Sequence, residues 1–159
     1  MPQATAKPMG AVSADDSIQS LRFQRDVPIE ASVEIVWESV IEQFENGEGA
    51  DGKPMPFKFE PWPGGRWFRD LGDNAGHLWG HVQVIKPPKL LEVCGPMFMS
   101  YAATTHAQYR LIDEGDRTNL RFTYSAVGLI AKEHREGVQE GWGEFLTSLK
   151  NTAERRARS

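Results

Sequence analysis

The sequence predicts an α+β fold: one curved antiparallel sheet of seven strands, with helices on one face and the longest helix at the C-terminal end. Three observations predict it. Short strand-like runs follow one another with connections too brief for parallel crossovers, so neighbouring strands must run antiparallel. Two segments instead repeat apolar residues at the helical period. The clearest strands alternate apolar with polar residues, which leaves one face covered and the other wet.

The first strand is predicted over Ser17–Pro28, with Leu21, Phe23, Arg25 and Val27 on one face and Arg22, Gln24 and Asp26 on the other. A helix follows. Val33, Val36, Trp37, Val40, Ile41 and Phe44 form one apolar stripe, and Glu34, Glu38 and Glu42 lie off it. Ser32 is placed to cap it by accepting a bond from a first-turn amide. Residues 46–54 hold three glycines and a proline and read as a mobile loop. Five strands lead on from there: Phe57–Glu60, Arg66–Leu71, His77–Ile85, Lys89–Cys94 and Thr104–Ile112. Asn119–Ala126 completes the set of seven. Ala107, Tyr109 and Leu111 share a face, as do Leu120, Phe122 and Tyr124. The cover is a helix over Lys132–Arg156, striped by His134, Val138, Trp142, Phe145, Leu146, Leu149 and Ala153. At ~1.5 Å per residue it is roughly 37 Å long, enough to cross a sheet.

Composition narrows the function classes. A chain of 159 residues suits about one domain, expected here over 18–155 behind a disordered tail at 1–17. Lys and Arg number 18 against 22 Asp and Glu, a net charge of −4. That lacks the basic excess of a nucleic-acid binder. One cysteine, Cys94, excludes an intrachain disulfide and a cysteine-based zinc cluster. No apolar run approaches the ~20 residues that span a bilayer, and no signal-peptide core is visible. A cytoplasmic protein without membrane or nucleic-acid partners is the expectation.

Four local patterns resemble one family. Ile29 to Trp37 is similar to its lead into the first helix, and Pro63-Gly64-Gly65-Arg66-Trp67 to its P-G-G-aromatic turn. Gly80 to Leu90 resembles its G-x-V segment ending in a Pro-Pro pair. Gly141-Trp142 through Leu149 resembles its last helix. In this order, over about residues 18–153, they resemble the activator of heat-shock-protein-ninety ATPase homologue family. That family lies in the START-like, helix-grip superfamily. The resemblance implies a helix-grip fold with a cavity between the long helix and the sheet. Dimers are common in that family, so a homodimer is an expected partner.

Catalytic chemistry finds little support in the residues. His77 and His81 are four apart on a strand, on one face but ~13 Å apart by strand rise, too far to share a metal. No HExxH, GxSxG, P-loop or GxGxxG is present. Asp70 and Glu92 alternate away from apolar neighbours and read as facing water, so no carboxylate pair stands out. No cofactor is expected. Cys94 reads as a small buried residue at a strand end.

The candidate site is instead a pocket wall. Trp67, Tyr109, Phe122, Tyr124 and Trp142 are expected between sheet and last helix, with Met97 and Met99 near the rim. The competing reading is plain core packing. Tyrosine hydroxyls on a covered face need partners, which suits a partly polar cavity. Arg69 alternates with Trp67 and Leu71, which sends it inward toward an anionic ligand. A bulge after Gly65 would send it outward instead. Leu78, Gly80, Val82 and Val84 read as inward, which puts Trp79 outside, where an exposed Trp marks a protein contact. The reading is a binding protein for a small apolar or amphipathic ligand. The alternatives are a cyclase- or hydrolase-like enzyme on the same fold and a chaperone-cofactor-type interaction module.

Overall fold

Alternation decides the centre of the sheet. Every second residue of Thr105, Ala107, Tyr109 and Leu111, and of Leu120, Phe122, Tyr124 and Ala126, is buried. The two runs pair antiparallel, with Tyr109 opposite Phe122. The computed structural model describes residues 17–48, 54–55 and 57–159. The expected tail therefore lies almost wholly outside the described residues, as does much of the 46–54 loop.

The strands are β1 (Gln19–Ile29), β2 (Gly47–Glu48), β3 (Pro54–Met55), β4 (Phe57–Phe59), β5 (Arg66–Gly72), β6 (Ala75–Lys86), β7 (Leu90–Gly95), β8 (Ala103–Asp113) and β9 (Thr118–Gly128). The helices are α1 (Val33–Glu45) and α2 (Lys132–Ala157). Seven strands form one antiparallel sheet in the order β1-β9-β8-β7-β6-β5-β4, and β2 and β3 pair separately. This is the expected α+β helix-grip architecture. The β2–β3 pair was not foreseen, because two-residue strands carry no readable alternation. Pro28 is tolerated in β1 because an edge strand has one side free of ladder bonds.

Both helices share the concave face. Val36, Val40 and Phe44 of α1 are wholly buried, whereas Trp37 and Ile41, expected on the same stripe, are half-buried. Ser32 precedes the helix in extended conformation, but its side chain makes no capping bond. Its carbonyl accepts from the Val36 amide at 3.0 Å instead. The C-terminal half of α2 is clamped. Leu146, Leu149 and Ala153 are buried. Gln43 of α1 donates to the Phe145 carbonyl at 3.0 Å. Lys150 donates to the Pro28 carbonyl at 2.7 Å, and Arg156 pairs with Glu42.

A β-bulge corrects the reading of β6. Trp67 pairs with Gly80 and Phe68 with Leu78, so Trp79 is an extra residue between two ladder partners. An extra residue reverses the alternation that follows it. Trp79 is therefore 7 % exposed and Leu78 46 % exposed, the opposite of the expectation. One ground for expecting a homodimer, an outward Trp79, is thereby removed. The same bulge separates the histidines. His81 pairs with Arg66 and His77 with Arg69, residues that alternate on β5, so the two rings lie on opposite faces. Asp70 faces water as expected, paired with exposed Lys58, whereas the Glu92 carboxylate is largely covered, against expectation. Asp70 accepts from Lys58 at 2.8 Å. Glu92 bonds His106 at 2.9 Å and accepts from Gln108 at 3.0 Å. Cross-strand neighbours on one face reach each other, which a strand read alone does not reveal. Cys94 is half-buried, short of the full burial expected.

Candidate functional site

Helix α2 touches the sheet unevenly. Residues 132–141 include none that is buried, and the first buried residue of the helix is Trp142. Two glycines, Gly137 and Gly141, sit one turn apart on this stretch. A Cβ added to either would meet no atom within 4 Å. The side chains that would fill the gap are missing, and a groove of about 440 Å³ opens there. Its far wall is the β7–β8 connection, where Met97 and Phe98 stand, together with Tyr124 of β9. Val138, Trp142 and Phe145 form the helix side.

The wall is mostly apolar, with one polar end. The Tyr124 hydroxyl and His134 Nε2 are 3.4 Å apart, a long hydrogen bond. Burial pushes the Tyr124 phenol up to about 12, so it stays protonated at neutral pH. Burial also pulls His134 below the usual imidazole value, which favours the neutral ring. A protonated phenol can then donate to Nε2. Tyr101 packs edge-on to His134 and its hydroxyl accepts from the Ala131 amide at 3.2 Å, fixing the start of α2. Glu133 also lines the groove.

The predicted site residues divide. Met97, Tyr124 and Trp142 meet at the groove. Trp67, Tyr109 and Phe122 lie deeper, each 0 % exposed. Trp67 packs on Phe44 at 4.7 Å between ring centres and donates to the Phe44 carbonyl at 3.0 Å. Tyr109 packs on Phe122 at 5.0 Å, and Phe122 on Trp142 at 4.9 Å. The Tyr109 hydroxyl is buried without a partner, and burial drives its ionisation far above the ordinary phenol range. Met99 is buried and, with Arg69, lines a second cavity beside Phe98.

Sequence reasoning missed His134 and the two glycines as groove residues. The glycines were legible: two of them inside a helical stripe cost roughly 0.5–1 kcal/mol each against alanine and called for a reason. His134 was legible only as a stripe position, since its partner Tyr124 comes from a strand.

A curved antiparallel sheet of seven strands, gripping a long C-terminal helix with a groove between them, defines a START-like, helix-grip protein. The chain belongs to the family described as activator of Hsp90 ATPase homolog 1-like protein, which it matches over residues 30–154. No curated protein gives a significant match. Among solved structures the chain is similar to an uncharacterized protein from Rhizobium leguminosarum, at TM-score 0.69 and 17 % identity, covering 87 % of this chain and 97 % of that one. It is also similar to the conserved protein of unknown function EF2215 from Enterococcus faecalis, at TM-score 0.61 and 19 % identity, covering 86 % and 72 %. A third likeness is to the di-domain ARO/CYC protein BexL from the BE-7585A biosynthetic pathway, at TM-score 0.58 and 17 % identity, covering 88 % and 50 %. At these identities the likeness is one of fold, and the fold is compatible with ligand binding. Among the described residues, no helix is long and apolar enough to cross a membrane.

Proposed function

We propose that this chain binds a small apolar or amphipathic molecule in the groove beside α2, with no chemistry of its own. One observation carries the reading: none of residues 132–141 of α2 is buried, and Gly137 and Gly141 provide no side chains to fill the groove beside them. An apolar ligand would cover the exposed ring of Phe98 and the half-buried Val138 and Phe145, with buried Met97 behind them, and the hydrophobic gain scales with the area removed from water. The Tyr124–His134 pair would meet the ligand's one polar group. Native mass spectrometry of the purified chain, followed by calorimetric titration with 1-decanol, tests it. A co-purified small molecule, or saturable decanol binding that Gly141→Leu abolishes, is expected. A chain that carries nothing and binds no apolar probe overturns the reading.

A second reading is a cyclase-like enzyme, favoured by a neutral imidazole and a phenol facing one groove. Such a pair can hold or move one proton at Nε2. If His134→Asn retains probe affinity but abolishes turnover of a poly-keto substrate analogue that the natural chain consumes, the enzyme reading replaces the first.

A further inference from the structure

The second cavity adjoins the groove at Met97 and Phe98. Arg69, His77, Trp79, Met99 and Ser100 line it, and Met97 and Phe98 line both spaces. Phe98 thus borders both. It packs on Trp79 at 5.0 Å and on Trp67 at 5.7 Å between ring centres, yet is 57 % exposed. It follows Met97, which sits in the left-handed region with φ of 54°. A side chain there costs energy that glycine would avoid.

Arg69 is the chemically unexplained residue at this end. Its strand leaves no freedom about direction. Arg66 stacks over Phe68 on the outer face at 4.4 Å, so Trp67 and Arg69 share the inner face by alternation. Its ladder partners are Phe57 and His77, and Phe57 packs on Trp67 and Trp79 inside. Arg69 is half-buried and its Nε is buried without any hydrogen-bond partner. The adjacent carboxylate, Asp70, is occupied by Lys58. Among the described residues Arg69 makes no ion pair; Arg22, Arg25, Arg110, Arg135, Arg155 and Arg158 make none either, but among arginines a buried side-chain nitrogen without a partner is found only at Arg69. A buried N–H left without an acceptor is costly, and the planar guanidinium fork that carries it matches an oxyanion.

We propose that Arg69, with His77 beside it on the same face, is the anion subsite of the ligand groove. It would take the carboxylate or phosphate head of an amphipathic ligand whose tail lies along the exposed face of Phe98 toward Trp142. This rests on the groove reading for the tail and adds the head group's charge and position. Phe98 then supports the ligand's middle with its exposed face.

The test compares three ten-carbon probes on the full chain by calorimetry: decanoate, decyl phosphate and 1-decanol. Arg69→Met, which keeps the stem and removes the charge, is expected to weaken decanoate or decyl phosphate by about tenfold or more and leave decanol unchanged. Whichever charged probe loses more identifies the head group. Arg69→Lys is expected to retain part of that affinity. Arg69→Met should also melt no lower than the natural chain, because it removes a buried N–H that has no acceptor. An Arg69 that merely packs would give a lower melting temperature and no difference between charged and neutral probes, which overturns the proposal. Decanol binding with decanoate and decyl phosphate indifferent to Arg69 also overturns it and leaves the groove standing. Arg69-dependent binding of a charged probe that ignores Gly141→Leu keeps the subsite and removes the groove.

Discussion

Single residues here divide by what their polar atoms touch. Tyr109 and Tyr124 lie on adjacent strands and face the same side, yet only Tyr124 has a partner for its hydroxyl. Deleting a buried hydroxyl that bonds nothing removes a desolvation cost and little else. Tyr109→Phe is therefore expected to leave stability unchanged or raise it by about 1 kcal/mol, with probe binding unaffected. Chemical denaturation reads the first and calorimetry the second. Trp142 differs, because it serves both core and groove, touching Phe122, Tyr124 and Phe145. Trp142→Ala should cost roughly 3–5 kcal/mol and weaken apolar-probe binding as well. His134 adds a pH dependence. Burial holds its folded pKa below the ordinary imidazole value of 6.5. As pH falls below that value the unfolded chain takes up the proton first, so the folded state loses stability. Above it both states are neutral and the effect vanishes. Melting temperature should therefore fall more steeply with acid in the natural chain than in His134→Asn. Equal slopes would remove His134 as the cause.

At the scale of elements, α2 is two helices in one. Its C-terminal half is held by buried Leu146 and Leu149, by Gln43 and by the Arg156–Glu42 pair. Its N-terminal half is held by Tyr101 at the first turn and by Arg135, which donates to Gln19 at 2.6 Å. The glycines between them lower local helix propensity. Gly141→Ala should raise stability by roughly 0.5–1 kcal/mol, since its Cβ meets open space. Gly141→Leu should fill the groove and exclude the ligand while the chain stays folded. Hydrogen exchange should be faster at residues 135–141 than at 146–153, because few buried contacts oppose local opening there. Equal protection along α2 would mean the groove is closed in solution.

At the scale of the whole molecule, the groove follows from fitting a straight helix to a curved sheet. Contact is close where α1 and β1 both meet α2, and it loosens toward β9 and the β7–β8 connection. The fold is thus braced at one end and open at the other. The two cavities beside Phe98 lie at the open end. Ligand binding there should raise the melting temperature by mass action and slow exchange chiefly in the first half of α2. Uniform slowing across the chain would instead indicate global stabilisation with no local closing.

The sequence by itself determined the order of the seven sheet strands and two helices, the antiparallel sheet, the covering helix and the family pattern, though not the short β2–β3 pair. These rest on periodicity and turn chemistry, which are local properties of the chain. It also singled out Tyr124 and Trp142, because alternation on β9 and the α2 stripe aim them at each other. Only the tertiary structure decided the rest. The extra residue at Trp79 reversed a face because a bulge is a property of two paired strands, and no alternation within one strand shows it. The inward placement of Arg69 needed Phe57 and Phe68 to fix its side. The division of the aromatic residues into core and groove depended on where α2 parts from the sheet, a distance set by packing at its other end.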